Sequence, residues 1–287
     1  MSSLRTKIGC ALAAVAGVAA TLAPSPALAA DSGYQGAAAS WRFGVGTGSA
    51  GGYLSCPTGT KAVSSGAASS ATLGYLQSGL TTFDGNGGYH TALGYQSMPF
   101  QAYAQCVPAA RLSGSTRTTR TVRDHTGEFR AHVKRVDCPS GTVPYGGGAF
   151  TSYQGNVEAG LATFGSVPSG LGWSYGGAGT VSGELVVSSH CLPRAKLGRV
   201  VTESATVAGP TTDERAIVSA AARCPSGFFA FAGGASFHQP GSLTPAWRGY
   251  LTTSTMSADD RGWSAVGWTF APDTRMTVTV RCTDRLG

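Results

Sequence analysis

Three copies of one cysteine-centred motif constrain this chain more than any other feature. Each copy opens with Cys-Pro-x-Gly, at Cys56–Gly59, Cys138–Gly141 and Cys224–Gly227. A Gly-Ala pair follows seven and eight residues after that glycine in every copy, and within a strand such a pair predicts either a bulge or a close backbone approach. Each copy then closes on a strand-like stretch that ends in a second cysteine. A fixed order of this kind indicates an internal structural repeat.

The cysteines fit one disulfide framework. Of the seven cysteines, Cys10 lies in the N-terminal segment and six remain. Six cysteines allow fifteen pairings, and the repeat favours the pairing within each copy, which is Cys56 with Cys106, Cys138 with Cys191, and Cys224 with Cys282. Each bridge closes a loop of about 50 residues, which the loop-entropy model values at roughly 4 kcal/mol. A zinc site is the competing interpretation, but it typically uses short C-x-x-C spacing, which this sequence lacks.

The local pattern predicts an all-β fold. Proline after cysteine starts a turn and the glycine supplies positive φ, while stretches such as 275–282 alternate apolar and polar side chains. We expect three pseudo-symmetric, disulfide-closed repeats, at 30–110, 111–196 and 197–287, named repeats 1, 2 and 3. A single β-prism or trefoil-like body is favoured, because one such unit has little core of its own. Three small tandem β domains are the alternative.

The first 29 residues read as a signal peptide. Arg5 and Lys7 precede an apolar run over 8–22, and small residues at 27 and 29 suit a cleavage site. Cys10 falls within this segment. No later stretch is apolar enough to predict a membrane span. We therefore expect a secreted protein of an oxidising compartment, where disulfides persist.

The sequence contains no recognisable catalytic motif. The sequence has no metalloprotease His-Glu-x-x-His motif, phosphate loop or calcium loop. Adjacent acids occur only at 213–214 and 259–260, in turn-like contexts where capping is the simpler role. No cofactor or metal is predicted. The pattern favours a non-catalytic protein over the alternative, a hydrolase whose site is assembled across repeats.

Aromatic side chains are the best binding candidates. Tyr89, Trp173 and Trp263 recur at one place in the three copies, and Trp247 and Trp268 are extra in repeat 3. They are either core residues or a surface that stacks on sugar rings. The arginine-rich stretch 111–135 could bind an anionic polymer, although a solvated face is the simpler interpretation. A glycan or cell-wall polymer is the expected partner, and nucleic acid is not.

The order Cys-Pro-x-Gly, Gly-Ala, Gly-Trp-Ser, Cys resembles a repeat common in secreted actinobacterial proteins, most of them without known activity. The resemblance covers nearly all of residues 45–287. It implies a shared structural repeat and carries no information about activity. Repeat 1 departs from it, with Tyr89-His90 in place of Trp-Ser. A weaker likeness to the vitelline membrane outer layer β-prism concerns the fold alone.

These observations predict a secreted, non-catalytic protein that binds a cell surface or a polysaccharide. A structural coat or inhibitor protein is a further alternative.

Overall fold

The computed structural model describes residues 34–42, 47–69, 75–81, 85–95, 99–123, 128–153, 156–158, 161–181, 183–212 and 214–287. These residues lie mostly in β-strands, with two short 3-10 helices at Ala109–Leu112 and Arg194–Lys196. The predicted all-β class is confirmed. The predicted signal peptide, residues 1–29, lies outside the described residues.

The described residues form six or seven strands in each repeat. Repeat 1 contains β1 (Gln35–Arg42), β2 (Thr47–Ser55), β3 (Thr60–Ser69), β4 (Tyr75–Thr81), β5 (Gly87–Tyr95) and β6 (Pro99–Pro108). Repeat 2 contains β7 (Thr116–Arg123), β8 (Phe129–Asp137), β9 (Thr142–Tyr153), β10 (Asn156–Glu158), β11 (Ala162–Ser169), β12 (Gly172–Thr180) and β13 (Glu184–Pro193). Repeat 3 contains β14 (Val200–Ala208), β15 (Ala216–Arg223), β16 (Phe229–His238), β17 (Gly249–Met256), β18 (Gly262–Thr269) and β19 (Arg275–Thr283).

Each Cys-Pro-x-Gly motif forms the predicted turn. Its glycine has φ of 79° to 81° in all three copies, which is the left-handed region that favours glycine. The backbone N–H one residue later donates to the carbonyl of the motif's proline at 3.0 to 3.1 Å. The motif therefore connects the strand before the cysteine to the strand that follows the turn.

The strands form three antiparallel sheets, and each sheet combines two repeats. Sheet A has the order β1-β6-β3-β17-β18-β15, sheet B has β2-β5-β4-β9-β13-β7, and sheet C has β14-β19-β16-β11-β12-β8. The short strand β10 pairs with β9. In each sheet, three strands of one repeat lie beside three strands of another. Sheets shared in this way favour the single body over three independent tandem domains.

The Gly-Ala pair lies where two repeats meet. In sheet A, Ala67 of β3 pairs with Ser254 of β17. A Cβ on the neighbouring Gly66 would overlap the carbonyl oxygen of Ser254. In sheet C the same relation joins Gly234 of β16 to the carbonyl oxygen of Ser166. Glycine is therefore required for the close backbone approach that the sequence predicted at this pair.

The disulfides connect different sheets. The predicted pairing is confirmed, with Cα–Cα distances of 5.6 to 5.8 Å. The first cysteine of each pair follows a strand of one sheet, and the second lies in a strand of another. Cys56 follows β2 of sheet B and bonds to Cys106 in β6 of sheet A. The other two bridges connect sheet C to sheet B and sheet A to sheet C.

Candidate binding surface

Two of the predicted binding residues are buried. Trp173 of β12 and Trp263 of β18 are 5% and 3% exposed. Their indole N–H groups donate to the hydroxyls of Ser166 at 3.0 Å and Ser254 at 2.9 Å. A buried indole N–H needs such a partner, so these contacts identify both rings as core residues. Their faces are not available on the outer surface, which removes them from the predicted ligand-binding set.

The strand register separates Tyr89 from these two tryptophans. In repeats 2 and 3, the residue before the first cysteine pairs with Gly172 and Gly262, and a tryptophan follows each glycine. In repeat 1, the residue before the first cysteine pairs with Gly87, so the tryptophan position is taken by Gly88. Tyr89 therefore lies one residue beyond the position that is equivalent to Trp173 and Trp263. A displacement of one residue along a strand reverses the face on which a side chain lies.

Tyr89 instead packs against Tyr53. The two tyrosines oppose each other on β5 and β2 of sheet B, with ring centroids 4.7 Å apart. Tyr89 is half-buried and Tyr53 is exposed. Burial, together with the neighbouring Tyr53, raises the pKa of Tyr89 above the usual value for tyrosine. This pair is a surface contact separate from the other predicted binding residues.

His90 lies against the position where repeat 1 lacks a tryptophan. A Cβ added to Gly88 would fall 2.6 Å from His90 Nε2. The imidazole is buried, and its Nε2 has no hydrogen-bond partner among the described residues. Burial lowers the pKa of His90 to about 4, so the ring is neutral at physiological pH.

A small internal cavity adjoins His90. It is also lined by Trp173, Trp263, Ser166 and Ser254 and has about 40 Å³ of space for water. A water molecule needs on the order of 15 Å³ by this measure. The cavity can therefore hold a few water molecules but not a sugar ring.

Trp268 lies on the outer face of sheet A. Along β18, Trp263 and Ala265 are part of the core, so the alternate positions, which include Trp268, face outwards. Trp268 opposes Ile217 of β15 on one side and Tyr250 of β17 on the other. It is half-buried between these neighbours.

Trp247 is the centre of a continuous row of aromatic rings. Ring centroids are 5.2 Å apart between Tyr250 and Phe270, 5.8 Å between Phe270 and Trp247, and 5.1 Å between Trp247 and Phe129. Phe129 is 57% exposed and Trp247 is 37% exposed. We call Tyr250, Phe270, Trp247 and Phe129 the aromatic strip. It runs from sheet A to Phe129, the first residue of the edge strand β8 in sheet C.

Backbone hydrogen bonds hold the loop that carries Trp247. The N–H of Ala246 donates to the carbonyl of Phe237 at 2.7 Å, and the N–H of Phe270 donates to the carbonyl of Arg248 at 3.1 Å. Both residues that flank Trp247 are thereby fixed to strands or their ends. The indole is presented from a fixed backbone, which reduces the entropy lost when a ligand binds.

Sequence reasoning identified Trp247 and Trp268 but missed Phe129, Tyr250 and Phe270. Phe129 comes from repeat 2 and the other rings come from repeat 3. No spacing along the chain indicates that residues so far apart meet. The extra tryptophans of repeat 3 were the one available signal, since they depart from the repeated pattern.

The basic stretch is divided between the edge strands of two sheets. Arg117, Arg120 and Arg123 lie on the edge strand β7 of sheet B, whereas Arg130 and Arg135 lie on β8 of sheet C. Arg123 pairs with Glu184 at 3.0 Å, and Arg135 pairs with Asp137 at 2.7 Å. Partial burial lowers the pKa of Arg117 to about 10. These charges are divided between two sheets, and acids neutralise two of them.

Within the described ranges, no group of three or more His, Cys, Asp or Glu side chains is placed to hold a metal ion. Asp259 forms an ion pair with Arg223, and Asp284 forms one with Arg199. Of the other adjacent pair of acids, Asp213 lies outside the described residues.

Comparison with known proteins adds no relative: no family model matches the sequence, and no curated protein is similar enough to be reported as one. Among the residues that the structure describes, no helix has the length and apolar character needed to cross a bilayer.

Proposed function

We propose that this chain is a secreted, non-catalytic protein that binds a neutral polysaccharide through the aromatic strip. The strip is the single observation that carries the proposal. Phe129 and Trp247 are exposed, and Tyr250 and Phe270 are half-buried beside them. The largest contiguous apolar patch on a soluble protein is often a site of interaction. The three disulfides support an extracellular location, because they persist in oxidising compartments.

The chemistry of the strip suits sugar rings. Each aromatic face is flat and apolar, and it can cover the C–H face of a pyranose while the sugar hydroxyls stay solvated. The rings of the strip carry no formal charge, so the ligand is expected to be neutral. The strip also follows the surface rather than the wall of an enclosed pocket, which favours an extended chain over a monosaccharide.

Binding of purified protein to insoluble cellulose and mannan tests this proposal. The wild type is expected to bind at least one of them, and Trp247→Ala should weaken binding about tenfold, because a central aromatic anchor is typically a hot spot. Phe129→Ala should act in the same direction. Tyr53→Ala is the matched control, since it removes an exposed ring from sheet B and should leave binding unchanged.

Two results would overturn the proposal. One is a wild-type protein that binds neither polysaccharide. The other is a Trp247→Ala variant that binds as well as the wild type, because the strip would then have no role in recognition. Circular dichroism of each variant checks that the fold is retained.

A further inference from the structure

A groove opens on the outer face of sheet A where β3 and β17 separate. The two strands pair only at Ala67–Ala68 and Thr253–Ser254. Beyond that point the groove has a volume of about 200 Å³. Its lining includes Ser64, Tyr103, Gln105, Thr255, Met256 and Ser264, and no described residue that lines it is charged.

Gln105 also lines this groove. Its carboxamide oxygen is shielded from solvent and has no hydrogen-bond partner among the described residues. Gln101, four residues earlier on the same strand, accepts a hydrogen bond from the hydroxyl of Tyr103. A shielded polar group is normally paired. The last torsion of a glutamine side chain turns readily, so either end of the amide can be directed into the groove.

In sheet C, the side chain at the corresponding position makes a hydrogen bond within the protein, although its Nε stays unpaired among the described residues. Gln105 and Arg281 each precede the second cysteine of their repeat. Each also pairs with the strand that follows the Cys-Pro-x-Gly turn, Gln105 with Ser64 of β3 and Arg281 with Ala232 of β16. Arg281 reaches the carbonyl of Gly170 and donates a hydrogen bond to it. The carboxamide oxygen of Gln105 has no such partner among the described residues, so it remains available to a group outside the chain.

The groove and the aromatic strip share one face of sheet A. Ser264 lines the groove, and Trp268, beside Tyr250 of the strip, lies four residues further along β18 on the same face. Four residues of extended strand span about 13 Å. One elongated ligand can therefore contact both places, whereas a single sugar unit cannot.

We propose that this groove is a second subsite for the polysaccharide, in which Gln105 and Ser264 bind hydroxyl groups of an uncharged sugar chain. This inference rests on the proposed function of the aromatic strip. A hydroxyl both donates and accepts, so it pairs with the carboxamide in either orientation. The uncharged lining selects a neutral ligand over an acidic one, and Met256 and the ring of Tyr103 provide apolar contact for the ring C–H groups.

Calorimetric titration with linear β-1,4-linked oligomers of glucose and of mannose, from the monosaccharide to the hexasaccharide, tests the second subsite. Affinity should rise with length until an oligomer spans both places. Gln105→Leu should weaken the longest oligomers two- to tenfold, the equivalent of one net hydrogen bond, and leave the shortest unchanged. The same variant should unfold at a higher temperature, because it removes an unpaired polar group. Gln35→Leu, at an exposed glutamine on β1 outside the groove, is the control.

The outcomes separate the two proposals. If Trp247→Ala weakens binding but Gln105→Leu does not, the groove is not a subsite and the aromatic strip alone binds. If Gln105→Leu weakens binding but Trp247→Ala does not, the groove stands and the function proposed for the strip is overturned. Wild-type protein that binds no oligomer of either series overturns both. Equal affinity for short and long oligomers contradicts the second subsite even when binding is strong.

Discussion

His90 occupies interior space in repeat 1 where the other two repeats have a tryptophan ring. In repeats 2 and 3 a tryptophan fills the interior, and in repeat 1 His90 packs against Gly88 at that place. Imidazole is smaller than indole, and a cavity of about 40 Å³ adjoins it. His90 Nε2 has no partner among the described residues, and the adjoining cavity is large enough for water molecules that would pair with it. Repeat 1 therefore has a smaller, polar side chain in the interior and keeps the antiparallel strand pairing of the other repeats.

His90 should make folding stability depend on pH. Its pKa in the folded protein is about 4, because burial disfavours the charged form, against about 6.5 in the unfolded chain. As the pH falls below 6.5, the unfolded chain takes up a proton that the native protein does not. Stability is therefore full above pH 6.5 and decreases towards pH 4, by about 3 kcal/mol in total.

Urea unfolding of wild type and His90→Leu at pH 7, 5.5 and 4.5 measures this effect. Leucine fills a similar volume and cannot titrate, so the variant should lose less stability on acidification than the wild type. The other titrating groups are common to both proteins and cancel in the difference. An identical pH dependence in the two proteins would show that His90 is protonated as easily in the native state as in the unfolded chain.

At the scale of the strands, the contact between β16 and β11 requires a residue without a side chain at position 234. A Cβ at Gly234 would overlap the carbonyl oxygen of Ser166. That oxygen belongs to the backbone of a paired strand and cannot move aside as a flexible side chain would. Gly234→Ala is therefore expected to destabilise the fold by about 3 kcal/mol, the upper end for an overpacked interior.

Gly227→Ala is the matched comparison for this prediction. Gly227 has φ of 79° in its turn, and an added Cβ would have no neighbour within 4 Å. Its replacement should cost only the strain of the left-handed conformation, about 1 kcal/mol. Denaturant titration of both variants measures which of them loses more free energy of unfolding. Equal losses would mean that the approach of β16 to β11 is less tight than the backbone positions indicate.

Features near each cysteine were predictable from the sequence, because they depend on local geometry. The Cys-Pro-x-Gly turns, the disulfide pairing and the close approach at Gly66 all follow from residues a few positions apart or from the repeated spacing. The register of β5 was not predictable in the same way. An aromatic residue after a glycine occurs in all three repeats, but pairing with β2 places Gly88, not Tyr89, opposite Leu54.

The binding surface was only partly predictable, because it is formed by contacts between different repeats. The aromatic strip joins Phe129 of repeat 2 to rings of repeat 3, and the groove joins β3 of repeat 1 to β17 of repeat 3. Both depend on pairings between distant parts of the chain. The sequence indicated Trp247 and Trp268 because they interrupt the repeated pattern, but it carried no signal for the partners that they meet.

The exchange of strands between repeats makes each repeat incomplete by itself. In repeat 3, β14, β16 and β19 belong to sheet C, whereas β15, β17 and β18 belong to sheet A. In the full chain, the inner edge of each set pairs with a strand of another repeat: β16 with β11, and β17 with β3. A fragment of residues 197–287 would keep its disulfide but would expose both edges and the apolar faces beneath them.

We therefore expect the fragment 197–287, produced with its disulfide formed, not to fold cooperatively. Its amide resonances should be poorly dispersed, and its urea titration should lack a sharp transition. The chain from residue 30 onwards, without the predicted signal peptide, should show one cooperative transition under the same conditions, because all three sheets need strands from two repeats. The Cys138–Cys191 and Cys56–Cys106 bridges should be intact by mass spectrometry in that control. A well-dispersed spectrum of the fragment would demonstrate that repeat 3 closes its own core, and that the shared sheets are an association of units that fold separately.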